Sequence, residues 1–207
     1  MRRWYVIGFV VLLFFIFQSW YPCSQLFGSV VCSGDDGVYL TFDDGPVLLT
    51  SDVLDVLDFY NVSATFFLLG SQVKEFPSLT SRIAEDHTIG VHSYSHNLFT
   101  SSKDIADSIT IIENFTGVVP SLFRPPYGFH PPWLLSSAKN LNLTVVMWSS
   151  FPRDYAMKKE VIVERVTTKM KPGAIICLHD TSEETLKALP EIIEYGLEHN
   201  LTFKSLK

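Results

Sequence analysis

The chain has 207 residues, 47% of them apolar and 18% charged, and its 16 basic and 22 acidic side chains give a formal net charge of −6. That apolar fraction excludes a disordered chain, and the length suits one substantial core. No basic run follows the first three residues, so nothing in the charge pattern offers nucleic acid a surface.

The N-terminus reads as a targeting segment. Arg2 and Arg3 precede 14 apolar residues, Trp4 to Phe17. As a helix this run spans about 21 Å, short of the roughly 30 Å bilayer core but suited to the apolar region of a secretory signal. Gln18, Ser19 and the aromatic pair Trp20-Tyr21 before Pro22 extend it toward an uncleaved anchor. Residues 1–22 are therefore expected to be a signal peptide or a signal anchor, with a buried helix as the plainer alternative. The positive-inside rule puts the remaining chain in the lumen or outside: secreted, in a cell wall, or held at a membrane. In the short segment 23–37, Cys23 and Cys32 are candidates for a disulfide, whereas Cys177 sits in an apolar run as a buried thiol. No CxxC pair exists, which argues against a cysteine zinc site.

Residues 38–207 form one expected domain. Val38–Phe42 is the first strand, Ser51–Tyr60 is helical, and Ala64–Leu69 is the second strand. A helix follows Pro77 to about Asp86, and Thr88–Val91 is a strand. Ser102–Phe115 carries Ile105, Ile109 and Ile112 at helical spacing, with Ser101 or Ser102 as N-cap. Ser121–Arg124 is a short strand, Pro131–Asn140 a helix, and Thr144–Trp148 a strand. Lys158–Met170 is a helix ended by Lys171-Pro172-Gly173, Ala174–Leu178 a strand, Glu183–His199 a helix, and Leu201–Phe203 a further short strand. Sequons at Asn61, Asn114, Asn142 and Asn200 are candidate glycosylation sites, although the tripeptide is common by chance. Strand alternating with helix predicts parallel pairing and an α/β fold. Six or seven units predict a distorted or incomplete (β/α) barrel, with an open doubly wound sheet as second choice.

Polar clusters sit where predicted strands end: Asp43-Asp44, His92, Arg124 and His179-Asp180. In such a barrel the loops at that face carry the active site. His92 and His96 are four apart, which on a helical turn puts both imidazoles on one side. Taken alone, such a pair is more often two surface residues, and Asp43-Asp44-Gly45-Pro46 equally suits a turn. Together they offer more. One carboxylate and two imidazoles make a three-ligand metal site with room for water, leaving the other carboxylate free as a base.

At this point the residues resemble a known family. Tyr39 to Pro46 (YLTFDDGP), Ala64 to Gly70 (ATFFLLG), His87 to Gly90 (HTIG), His92 to His96 (HSYSH), Arg124 to Tyr127 (RPPY) and Ile176 to Asp180 (ICLHD) are similar to the ordered motifs of NodB-type polysaccharide deacetylases, carbohydrate esterase family 4. The resemblance implies a metal-dependent hydrolase removing N-acetyl groups from N-acetylglucosamine polymers, with zinc as cofactor and cobalt as a substitute; separately, a monomer is expected. It implies Asp43 as general base, Asp44, His92 and His96 as metal ligands, and Arg124 as the partner of Asp43. The Tyr127 amide would stabilise the oxyanion, and His179 would protonate the leaving amine. Leu178 would line the acetyl pocket, with Tyr127, Trp148 and Tyr155 against the sugar. One stretch departs from the family: where an Asp usually contacts the catalytic histidine, this chain has Phe151, and Tyr155 replaces a Trp. The departure implies a lowered His179 pKa unless Asp154, on the same loop, reaches it. It also keeps open a catalytically impaired, carbohydrate-binding homologue. An O-acetyl esterase acting on xylan-type polymers would use the same direct chemistry.

Overall fold

The computed structural model describes residues 2–207, and the side chains of Arg2 and Arg3 are outside what it describes. Met1, at the head of the expected targeting segment, lies outside the described residues. Helix α1 (Arg2–Trp20) leaves every side chain from Trp4 to Phe17 exposed. Among the described residues, no helix is long and apolar enough to cross a membrane.

Six parallel strands follow: β1 (Tyr39–Asp43), β2 (Thr65–Leu68), β3 (Thr88–Val91), β4 (Leu122–Phe123), β5 (Thr144–Val145) and β6 (Ile175–His179). Their order is β5-β4-β3-β2-β1-β6. The sheet curls, and the irregular residues after β5 bring its edges together. Ser150 bridges Ile176, and Cys177 N–H donates to the Ser150 carbonyl at 2.9 Å. The result is an incomplete barrel, as the strand count implies. Leu201–Phe203 adds a single bridge, Phe203 to Val38, rather than a seventh strand.

The helices are α2 (Thr50–Tyr60), α3 (Gly70–Glu75), α4 (Pro77–Asp86), α5 (Ser102–Thr116), α6 (Pro132–Asn140), α7 (Lys159–Thr167) and α8 (Glu183–Glu198). Ser101 caps α5, its hydroxyl accepting from the Asp104 N–H. Apart from Thr144 on the edge strand, the strands are buried on both faces, as parallel strands under helices must be. Leu40, Phe42, Phe66 and Leu178 of the sheet share one core with Leu54 and Leu57 of α2, Ile162 of α7, and Leu189, Ile192 and Ile193 of α8.

Residues 23–37 are stitched onto this body. Cys23 and Cys32 are disulfide-bonded, and Cys177 is a buried free thiol. Val31 N–H donates to Val145 O and Met147 N–H to Val31 O, at 2.8 and 2.7 Å. All four sequon asparagines are exposed. Asn61, Asn142 and Asn200 have φ of 52°, 56° and 57°, a region asparagine tolerates better than most residues. Turn geometry thus accounts for asparagine at these three positions without a glycan.

Candidate active site

The C-terminal ends of the parallel strands open into a cavity of about 490 Å³ lined by Asp43, Asp44, His92, His96, Tyr127 and His179, among others. Each ligand-bearing segment leaves its strand abruptly. Asp44, Ser93, His96 and Tyr127 all have positive φ, between 54° and 76°. Four non-glycine residues in that region at one face are a concentration of backbone strain, of the kind that aims side chains at a common point.

Asp43 and Asp44 are adjacent but face different partners. Asp43, buried at the end of β1, takes a hydrogen bond from Arg124 Nη1 at 2.8 Å. Burial alone would raise its pKa, but Arg124, with His92 and His179 nearby, holds it below the ordinary carboxylate value. Arg124 is no surface ion pair; it is fully buried. Its Nε donates to Val146 O, Nη2 to Met147 O, and Nη1 also to Thr41 Oγ1, while its plane lies 4.1 Å over the Phe67 ring.

Asp44 turns the other way, its Oδ1 lying 3.5 Å from His92 Nε2 and 3.2 Å from His96 Nε2. One ligand atom from each residue lies within 4.8 Å of the others. Asp44 Oδ1 is buried and finds no hydrogen-bond partner among the described residues. His92 Nδ1 sits 2.7 Å from the Arg124 carbonyl. Since a carbonyl only accepts, Nδ1 carries the proton and Nε2 offers a lone pair toward Asp44. Burial lowers the His92 pKa, which keeps the imidazole neutral, the form that ligates. An orphaned carboxylate oxygen beside two imidazoles fits a cation. The histidines reach this geometry from a loop, not the helical turn their spacing suggested. Asp104 at the start of α5 braces that loop, accepting from Tyr94 N–H and Ser95 Oγ at 2.8 Å each.

His179 is the register partner of Asp43 across β1 and β6. Its Nδ1 lies 2.8 Å from Asp154 Oδ1, and its backbone N–H donates to Asp154 Oδ2 at 2.7 Å. Burial opposes the imidazolium, but the Asp154 hydrogen bond and charge, with Asp43 and Asp44 behind them, raise the pKa to about 9. This corrects the lowered value expected from Phe151. That ring stands 6.0 Å from the imidazole, and Asp154 supplies the charge from three residues further on. Trp148, Phe151 and Tyr155 form one wall of the cavity.

Leu178 is a second correction. In a strand, neighbouring side chains point to opposite faces, so Cys177 and His179 face the cavity while Leu178 is sealed in the helix-side core. The Cys177 thiol donates to Asp43 Oδ2 at 3.3 Å. Tyr127 lines the cavity, its ring edge-on to His96 at 4.5 Å.

Comparison with known proteins follows the same lines. Residues 31–146 match the polysaccharide deacetylase family model. A peptidoglycan-N-acetylmuramic acid deacetylase of Bacillus subtilis is 39% identical over 166 residues, covering 76% of this chain but 35% of the relative, so the chain spans about a third of that protein. A chitooligosaccharide deacetylase of a Bradyrhizobium species is 37% identical over 158 residues, 72% of each chain. Among solved structures, the Bc1960 peptidoglycan N-acetylglucosamine deacetylase superposes with a TM-score of 0.81 at 34% identity, over 86% of this chain and 90% of the other.

Proposed function

The chain belongs to the polysaccharide deacetylase family, and from that membership and the site geometry we propose that it is a metal-dependent hydrolase releasing acetate from N-acetylglucosamine units of an extracellular glycan. The observation that carries this reading is the opposed bias of two register partners. Asp43 is held ionised by Arg124, and its neighbour His179 is held protonated by Asp154, both lining one cavity. Environments that push an acid and a base apart in this way assign their roles.

Asp44, His92 and His96 would hold the cation, zinc in our reading from the mixed nitrogen and oxygen donors. Such an ion polarises a carbonyl and acidifies a water. Asp43 takes the proton from the attacking water as the new carbon–oxygen bond forms. His179 delivers its proton to the amide nitrogen as the carbon–nitrogen bond breaks, so acetate and a free amine leave. Arg124 keeps Asp43 ionised until it takes that proton and holds it in place through both steps. The Tyr127 backbone, held at a φ of 59°, is the proposed oxyanion donor, and Tyr127, Trp148 and Tyr155 are the proposed sugar contacts. The positive N-terminus and the apolar run support action beyond the membrane, and the named relatives that act on peptidoglycan suit such a location.

The test is acetate release from N-acetylglucosamine oligomers and from peptidoglycan, with zinc supplied and with a chelator. Zinc-dependent release that disappears in Asp43→Asn is expected. Tight oligomer binding without release would favour the carbohydrate-binding alternative instead.

A further inference from the structure

The cavity has a wall the family match does not include. Trp20, at the end of α1 and upstream of the matched residues 31–146, lines the same space as Asp44, His96 and His179. Its ring centroid lies 4.8 Å from that of Phe129, and 44% of its surface stays open. Phe129 in turn contacts Trp133 and Phe99, each at 6.1 Å, and both are exposed. Trp20 is not a loose end. The carbonyl of buried Ser19 accepts from His130 N–H at 3.0 Å, and the disulfide fixes the chain three residues beyond Trp20. Gln25 clamps both backbone groups of Val30, and Val31 enters the barrel rim.

From this placement we infer that Trp20 is a stacking subsite for a pyranose ring of the substrate chain, neighbouring the sugar that is deacetylated. The inference rests on the deacetylase reading and on residues 1–22 being the retained anchor of the two alternatives. Aromatic rings offer large, rigid apolar faces, and the ring faces of a pyranose present C–H groups to match. Two carboxylates and three imidazoles share the cavity with Tyr127, Trp148, Phe151 and Tyr155, a mixture that suits a ligand with both hydroxyl groups and apolar ring faces. Trp148 and Tyr155 make an aromatic wall from another part of the chain, so a bound glycan meets Trp20 as a separate contact. The platform continues outward along Phe129 toward Trp133, giving it the length for more than one ring.

The experiment uses the full chain with zinc, carrying Asp43→Asn so that ligand is held unreacted. Calorimetric titration with the N-acetylglucosamine tetramer should show Trp20→Ala binding roughly 2- to 12-fold weaker, with Trp20→Phe within about twofold of the parent. In the active chain, the ratio of kcat/KM for the tetramer over the disaccharide should fall by the same factor in Trp20→Ala. Unchanged tetramer affinity in Trp20→Ala, or a parent that binds no tetramer, overturns the subsite. So does a Trp20→Ala variant that keeps its tetramer affinity but loses binding to phosphatidylcholine vesicles, since Trp20 would then serve a lipid surface. A Trp20-dependent affinity in a chain that releases no acetate keeps the subsite and sinks the deacetylase reading alone.

Discussion

Replacing Asp154 with Asn isolates the charge that the structure puts behind His179. Asp154 is buried and fully engaged. Oδ1 faces His179 Nδ1, while Oδ2 accepts from the His179 N–H and from Thr185 Oγ1 at 2.6 Å. An asparagine oriented to keep its oxygen on those two donors turns its amide nitrogen toward the imidazole. The amide then donates to Nδ1, which stabilises a neutral ring with its proton on Nε2. With Asp154, His179 titrates near 9, so at pH 7 about 99% of it is protonated. Without the carboxylate, burial lowers the value and only the charges of Asp43 and Asp44 oppose it; a fall to the unperturbed 6.5 leaves about a quarter protonated at pH 7.

Protonation alone therefore predicts about a fourfold loss of kcat at pH 7. The alkaline limb of the pH–rate profile should move down by one unit or more, each unit being about 1.36 kcal/mol. A cation held by Asp44 lowers the limb in both proteins and leaves the difference between them. The assay is acetate release between pH 5 and 10, zinc-saturated, with histidine ring titration followed by NMR in parallel. Phe151→Asp is the control and should leave the limb in place, because the charge it would supply is already present. A limb that stays put in Asp154→Asn while Phe151→Asp moves it upward would refute the reasoning.

Other consequences are open to measurement. His92→Ala should lose stoichiometric zinc while staying folded, and undiminished metal content by elemental analysis would remove it from the ligand set. Arg124→Leu strands the buried Asp43 charge and should cost about 3–5 kcal/mol in denaturant unfolding, with the Asp43→Leu/Arg124→Leu pair losing less than Arg124→Leu alone; a single-variant cost under about 1 kcal/mol would contradict the buried pair. Asp180 is buried with Oδ1 unsatisfied and titrates at about 7, against 3.8 for the free group. The native state then binds more protons than the unfolded one between those values, so stability falls as pH rises through that window. Asp180→Asn should gain on the parent in melting temperature from pH 5 to 8, and parallel curves would rule this out.

Much of the fold was legible because parallel strands announce themselves as apolar runs between amphipathic stretches. Thr88–Val91 and Pro77–Asp86 match their predicted bounds. Misses fall where periodicity carries no information. The Gly70–Glu75 helix is under two turns long, too short to show a face. Thr144–Trp148 is a strand for two residues because the chain then crosses to close the barrel. Within the site, residue types at strand ends pointed to the right face, but side-chain direction did not follow from motif alone. Strand alternation, applied to Ile175–His179, would have chosen Cys177 over Leu178. Trp20 carried no signal, since its role in the cavity depends on a tertiary path through Ser19 and the disulfide.

Barrel interiors are usually filled by branched aliphatic layers; here a guanidinium stands among them. Arg124 grips the carbonyls of Val146 and Met147 at the seam, Thr41 and Asp43 across from it, and through its own carbonyl His92. The seam and the chemistry therefore share one fastener. Any sequence change that lets the closure drift shifts the base and a metal-facing imidazole together, well before the core melts. Substitutions at the less buried seam positions, Trp148 and Ser149, should thus appear in a selection as loss of turnover in well-expressed, soluble protein. Thermostability screening would pass over them, and an engineer seeking a sturdier variant would do better to leave that seam untouched and work on the helices outside it.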